Sequence, residues 1–244
     1  MNPTTRATIT AVAASVVAAT GYLGTRYLAL GILVVVIAAA IGWPLLTRVS
    51  RPWVSTAIIV LGGTVALVAV LLGRNEPYLR YMVVAVAAIT IASLLAEVVF
   101  PSSPGRAVTS VAATASGGAV AASGAAWVAS NRTPGAEELV VLGAATLAVA
   151  AIASVLTHHA TVNTVFALVL GTGAGFGMGY IFDSIPWYGG ILVGLASGAS
   201  VVLLAELYRR EPRPRNPWAG IASGVTPVLV AGVLVYLGGR LLVG

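Results

Sequence analysis

Few side chains in this sequence can do chemistry, and they are widely spaced. Two acidic residues close the same short run, in Leu94-Leu95-Ala96-Glu97 and Leu203-Leu204-Ala205-Glu206, each inside an otherwise apolar stretch. A carboxylate deep in a bilayer is costly, so such residues are interfacial or functional. One reading has each carboxylate snorkelling to the headgroup level beside an arginine, for Glu206 either Arg209 or Arg210. The sharper reading makes Glu97 and Glu206 a symmetric pair that binds a cation or a proton at the inner mouth of a path. His158 and His159 share a short connection with Asn163. Adjacent residues of a helix point about 100° apart, so the two imidazoles cannot chelate one metal as an i, i+4 pair would, and their chemistry would be protonation.

Other reactive groups are missing. The chain has no cysteine, hence no thiolate ligand or nucleophile, and no lysine, hence no Schiff base. It carries no H-E-x-x-H, no G-x-S-x-G and no phosphate loop. Gly171, Gly173, Gly175, Gly177 and Gly179 alternate, but no Lys-Ser/Thr follows them. On a helix, Gly171, Gly175 and Gly179 form one smooth packing face. No catalytic, metal or cofactor site is expected.

These residues sit in a chain of 244 residues that is 59% hydrophobic and 8% charged, with a mean hydropathy of +0.99. Soluble domains carry about 25% charged residues, and disordered chains lack the apolar content. A spanning helix needs about 20 apolar residues. Nine segments qualify, at approximately 7–23, 27–47, 53–73, 79–100, 107–129, 139–157, 162–182, 187–208 and 218–240. The connections are too short for strands or an extramembrane domain. The fold class is therefore all-α, a polytopic membrane bundle forming one integral domain over 1–244. Arg6 ahead of the first apolar stretch resembles a signal peptide, but that segment is expected to stay, because it has a counterpart later in the chain.

Aromatic residues, including Trp43, Trp53, Trp127, Trp187, Trp218 and Tyr236, fall at predicted helix ends, where interfacial rings belong. Arginines are biased to the side holding Arg6, Arg48, Arg51, Arg106 and the Arg209–Arg215 cluster, against Arg26, Arg74, Arg80, Arg132 and Arg240 opposite. The expected topology is a plasma-membrane protein with its N-terminus cytoplasmic and its C-terminus external. Arg209, Arg210, Arg213 and Arg215 are expected to touch anionic headgroups. The net charge of +6 is thus topological and points to membrane lipids, not to nucleic acid.

Residues 53–101 align without gaps to 162–210, placing Pro77-Tyr78 on Pro186-Trp187 and Glu97 on Glu206. Tyr22-Leu23-Gly24-Thr25-Arg26 resembles Tyr236-Leu237-Gly238-Gly239-Arg240. The expectation is a parallel duplication of four helices, over about 5–104 and 105–211, followed by a ninth helix at about 217–241. Asp183 takes the place of Arg74, so the pair could bridge the copies. The first and fifth spans are built from small and hydroxylated residues. Thr8, Ser15 and Tyr22 in one, and Thr109, Ser116, Ser123 and Ser130 in the other, recur at heptad spacing. These slim helices are expected to meet at the centre, with Ser116 and Ser123 lining a path.

The favoured function is a small permease or channel-like transporter, with a path between the repeats that involves Glu97, Glu206, His158, His159, Asn163, Ser116 and Ser123. The alternative is a non-transporting accessory or assembly subunit that docks a membrane-protein partner or a second copy of itself. An intramembrane lipid-modifying enzyme ranks third.

Overall fold

Pro3 and Pro52 stand in the first turns of their helices, where a missing N–H leaves no intrahelical bond unmade. In the computed structural model, residues 1–133, 137–182, 185–210, 214 and 216–242 are described, and these form helices without a strand. In chain order they are α1 (Pro3–Leu23), α2 (Thr25–Leu46), α3 (Pro52–Leu72), α4 (Met82–Val99), α5 (Ala107–Ser123), α6 (Ala125–Arg132), α7 (Glu137–Ala153), α8 (Ala160–Ile181), α9 (Trp187–Arg210) and α10 (Pro217–Leu242).

The described residues hold 8 helices long and apolar enough to cross a membrane, with α5 and α6 counting as one rod across Gly124. The chain therefore fits a multi-pass membrane protein. α7 has 17 residues, which at 1.5 Å per residue is about 26 Å, at the short edge of a span. It ends at Ala153, and turns occupy the last residues of the segment expected at 139–157.

Two ends of the bundle can be told apart by their ties. At one end the Met1 nitrogen donates to the Pro214 carbonyl, Arg51 Nε to the Pro101 carbonyl, and Arg106 to the Arg48 carbonyl. At the other, Arg240 pairs with Glu76, while Arg132 donates to the Val70, Leu71 and Gly73 carbonyls at the end of α3 and stacks over Tyr78. We call these the Met1 end and the Arg240 end.

The centre of the bundle differs from the expectation. The slim helices do not pack along each other: α1 packs on α2, α7 and α10, whereas α5 packs on α2, α3, α4 and α10. The fifth rod reaches α1 near its end, where Asn131 Nδ2 of α6 donates to the Gly21 carbonyl. The last helix, α10, lies between them and also touches α6, α7 and α9. Glycines let α10 take this place. A Cβ at Gly224 would strike Ile9, and one at Gly232 would strike Trp127. The heptad stripe is divided accordingly. Thr8, Ser15, Thr109 and Ser116 are exposed, whereas Ser123 and Ser130 are buried. Hydroxyls can face lipid here because they bond the preceding turn, as Thr8 does to the Thr4 carbonyl and Ser116 to that of Ala113.

Most of the terminal aromatics are exposed, among them Tyr22, Trp53, Trp187 and Trp218. Trp127 is not interfacial. It is fully buried between α6 and α10. The glycine face of α8 packs as the spacing predicts. Gly171, Gly175 and Gly179 are buried against Gly190, Gly194 and Gly198 of α9, and a Cβ at Gly175 would land on the Gly190 carbonyl. Gly173 and Gly177 meet nothing within 4 Å.

Candidate functional site

α1 and α9 both pack on α10 but not on each other. At the Met1 end the gap between them is a cavity of about 520 Å³, walled by α1, the end of α7, the first turns of α8, the second half of α9 and the first half of α10. It reaches from Met1 and Pro3 to Thr10, Ser223 and Pro227. Pro227 is ten residues into α10, a descent of about 15 Å, or about half the 30 Å hydrocarbon core. This cavity, called the vestibule below, thus reaches about 15 Å along α10 from the Met1 end.

Its deep wall is polar by construction. Thr10 Oγ1 lies 2.6 Å from the Gly224 carbonyl and 3.1 Å from that of Arg6. Ser223 donates to the Gly220 carbonyl at 2.7 Å. Pro227 has no N–H, so the Ser223 carbonyl loses its helical donor where α10 borders the cavity. Higher up, the Arg6 guanidinium lies 5.2 Å over the Tyr208 ring, bridging α1 to α9. Glu206 is ion-paired with Arg209 and, at 3.2 Å, with Arg210.

Of the residues singled out from the sequence, His158, Asn163, Glu206 and Arg209 line this one cavity. Asn163 also holds its loop together. Its Oδ1 accepts from the Thr157 nitrogen and hydroxyl, and its Nδ2 donates to the Thr157 carbonyl, all at 2.8 Å. His159 is exposed and does not line the cavity. Ser116 faces outward, and Ser123 is buried with its hydroxyl on the Ala119 and Val120 carbonyls, so neither reaches the vestibule. Asp183, Arg213 and Arg215 lie outside the described residues.

Glu97 belongs to a separate place. Ser102 donates its N–H to Glu97 Oε1 at 2.6 Å, and the Ser102 hydroxyl stands 2.9 Å from Oε2 and 3.0 Å from the Ser110 hydroxyl. Beside them Thr114 donates to Ser55 at 2.8 Å. The void here is about 20 Å³, room for roughly one water. Glu97 and Glu206 thus line different cavities and share no partner. Among the described residues no three His, Cys, Asp or Glu side chains come together to hold a metal ion.

Sequence reasoning assigned Arg6 to topology and Tyr208 to a helix end, and overlooked Thr10. A signal for Thr10 was present. Arg6 and Thr10 are one helical turn apart and so share a face, but this is visible only once α1 is known to begin at Pro3, ahead of Arg6. The chain matches no family model, no curated protein and no solved structure.

Proposed function

We propose that this chain is a small permease of the plasma membrane, N-terminus cytoplasmic, and that the vestibule is the inner half of its route. α7 would complete nine crossings, in two parallel quartets with α10 as the odd member. The observation that carries this reading is the cavity itself, with its polar floor about halfway through the bundle. Its walls come from α1 of the first quartet and α7 to α9 of the second, so the route still runs between the proposed repeats, with α10 along one side. The size lies within the roughly 300–1,000 Å³ of small-molecule sites. At the Arg240 end, the Arg240–Glu76 pair ties α10, which borders the cavity, to the connection after α3. The arrangement is that of a transporter open to one side, with the binding region near the midplane.

The native chain lacks cysteine, so single replacements can be probed directly. Val202→Cys and Thr164→Cys, at half-buried positions on the cavity wall, should react with a membrane-impermeant maleimide in inside-out vesicles, whereas Val140→Cys, buried beside Gly21, should not. Slow reaction of Val202→Cys from the external side, accelerated by Arg240→Ala, would establish passage. Cavity-wall sites that stay unlabelled from both sides would end the permease reading, and stable copurification with a membrane partner in that case would support an accessory subunit. Labelling from the cytoplasmic side alone, in Arg240→Ala as well, would leave a binding vestibule without a route.

A further inference from the structure

Arg6 is a vestibule cation that no carboxylate answers among the described residues. Glu206 lines the same cavity, but it is taken by Arg209 and Arg210. The Arg6 guanidinium rests on the Tyr208 ring. That phenol sits beside Thr226, whose hydroxyl donates to the Ala222 carbonyl at 2.7 Å. A cation–π stack holds one flat face of a guanidinium and leaves its edge free. Those N–H donors have no acceptor among the described residues, although the group is half-buried in the bundle. Arg209 also borders the cavity, and the first turn of α8 opens into it at Ala160. The N-cap of α8, His159, makes no side-chain capping bond, so the orphan N–H groups of that turn add positive potential.

We propose that the vestibule binds an oxyanion, a phosphate or carboxylate group, on the Arg6 guanidinium, with Tyr208 as the platform that holds the fork in place. Planar, two-pronged recognition of such groups is what arginine does better than lysine. The cavity is large enough for the group to be carried by a solute or by the head of a lipid. The inference rests on the vestibule being open to water at the Met1 end, as in the proposed function, but it does not require transport.

The test uses the purified full chain in nanodiscs at constant ionic strength. In phosphatidylcholine discs, inorganic phosphate is titrated and the unfolding midpoint followed, with chloride as the comparison. In discs containing phosphatidylglycerol, retained lipid is counted by native mass spectrometry. A saturable response to phosphate assigns the site to soluble anions, and specific retention of phosphatidylglycerol assigns it to a headgroup. In whichever arm responds, Arg6→Gln should weaken binding at least tenfold and Arg6→Lys by less. Glu206→Gln should tighten it several-fold, because Arg209 and Arg210 are released. That gain has the opposite sign to simple damage, and it keeps the test decisive if Arg6→Gln fails to fold. The proposal is overturned if neither arm responds, if chloride reproduces the phosphate response, or if the Arg6 and Glu206 variants bind as the native chain does. Should Val202→Cys still label from the cytoplasmic side in that event, the vestibule stands and the anion reading alone is lost.

Discussion

The indole N–H of Trp127 donates to the Val228 carbonyl at 2.7 Å, from a ring with no exposed surface. On the N-terminal side of Pro227, Thr10 bonds the Gly224 carbonyl. α10 is thus gripped on both sides of its proline by side chains of α6 and α1. With water excluded, each buried polar group keeps its partner or loses several kcal/mol. The kink-prone segment of the central helix is therefore fixed from outside, next to the floor of the vestibule.

Trp127→Phe keeps most of the ring volume and removes the donor. It should destabilise the protein by about 0.5–1.5 kcal/mol, the net worth of one hydrogen bond, because the Val228 carbonyl keeps its helical donor at Gly232. Trp127→Ala adds a cavity and should cost about 3–5 kcal/mol. Denaturant unfolding in mixed micelles, followed by α10 accessibility, measures both. Equal stabilities for the native chain and Trp127→Phe would refute the pinning of α10.

The glycines of α8 should separate sharply by face. Gly175→Ala drives a methyl group into the Gly190 backbone and should cost about 1–3 kcal/mol as overpacking. Gly173→Ala and Gly177→Ala meet open space and should be neutral, or stabilising by up to about 1 kcal/mol through helix propensity. Thermal midpoints in detergent provide the comparison, and indistinguishable values across the three variants would contradict the packed face.

Arg132 holds three carbonyls at the C-terminal end of α3. Arg132→Ala should cost about 1.5–3 kcal/mol, the range for hydrogen bonds to a charged group. Arg132→Lys should recover little, because a single ammonium cannot replace the fork and the stack on Tyr78. Hydrogen exchange of residues 70–78 should quicken in both variants. Unchanged exchange would show that the cap is idle.

Asn163 should act through its loop. Asn163→Ala removes the bonds to Thr157 and should speed hydrogen exchange over residues 154–160 while leaving the α8–α9 contact intact. Asn163→Asp keeps the acceptor that Thr157 uses and should have the smaller effect. If both variants exchange like the native chain, the loop is held by something else.

Eight helices long and apolar enough to cross a membrane, and the packing face at Gly171, Gly175 and Gly179, were legible in the sequence. Each follows from local composition and the 3.6-residue period, which lipid enforces because a spanning backbone must satisfy itself. The partners of each helix were not legible. In lipid, small-residue faces look alike, and α1, α5 and α10 all offer one. Shape complementarity between distant segments placed α10 in the middle and kept α1 and α5 apart. The same holds for the two matched glutamates. α4 stops at Val99, so Ser102 can fold back onto Glu97, whereas α9 runs on to Arg210 and brings Arg209 and Arg210 to Glu206. Arg6 looked like a flanking charge. Its half-burial over Tyr208 was decided only when α9 came to rest across a gap from α1, because long-range packing, not local sequence, determines where a bundle leaves space.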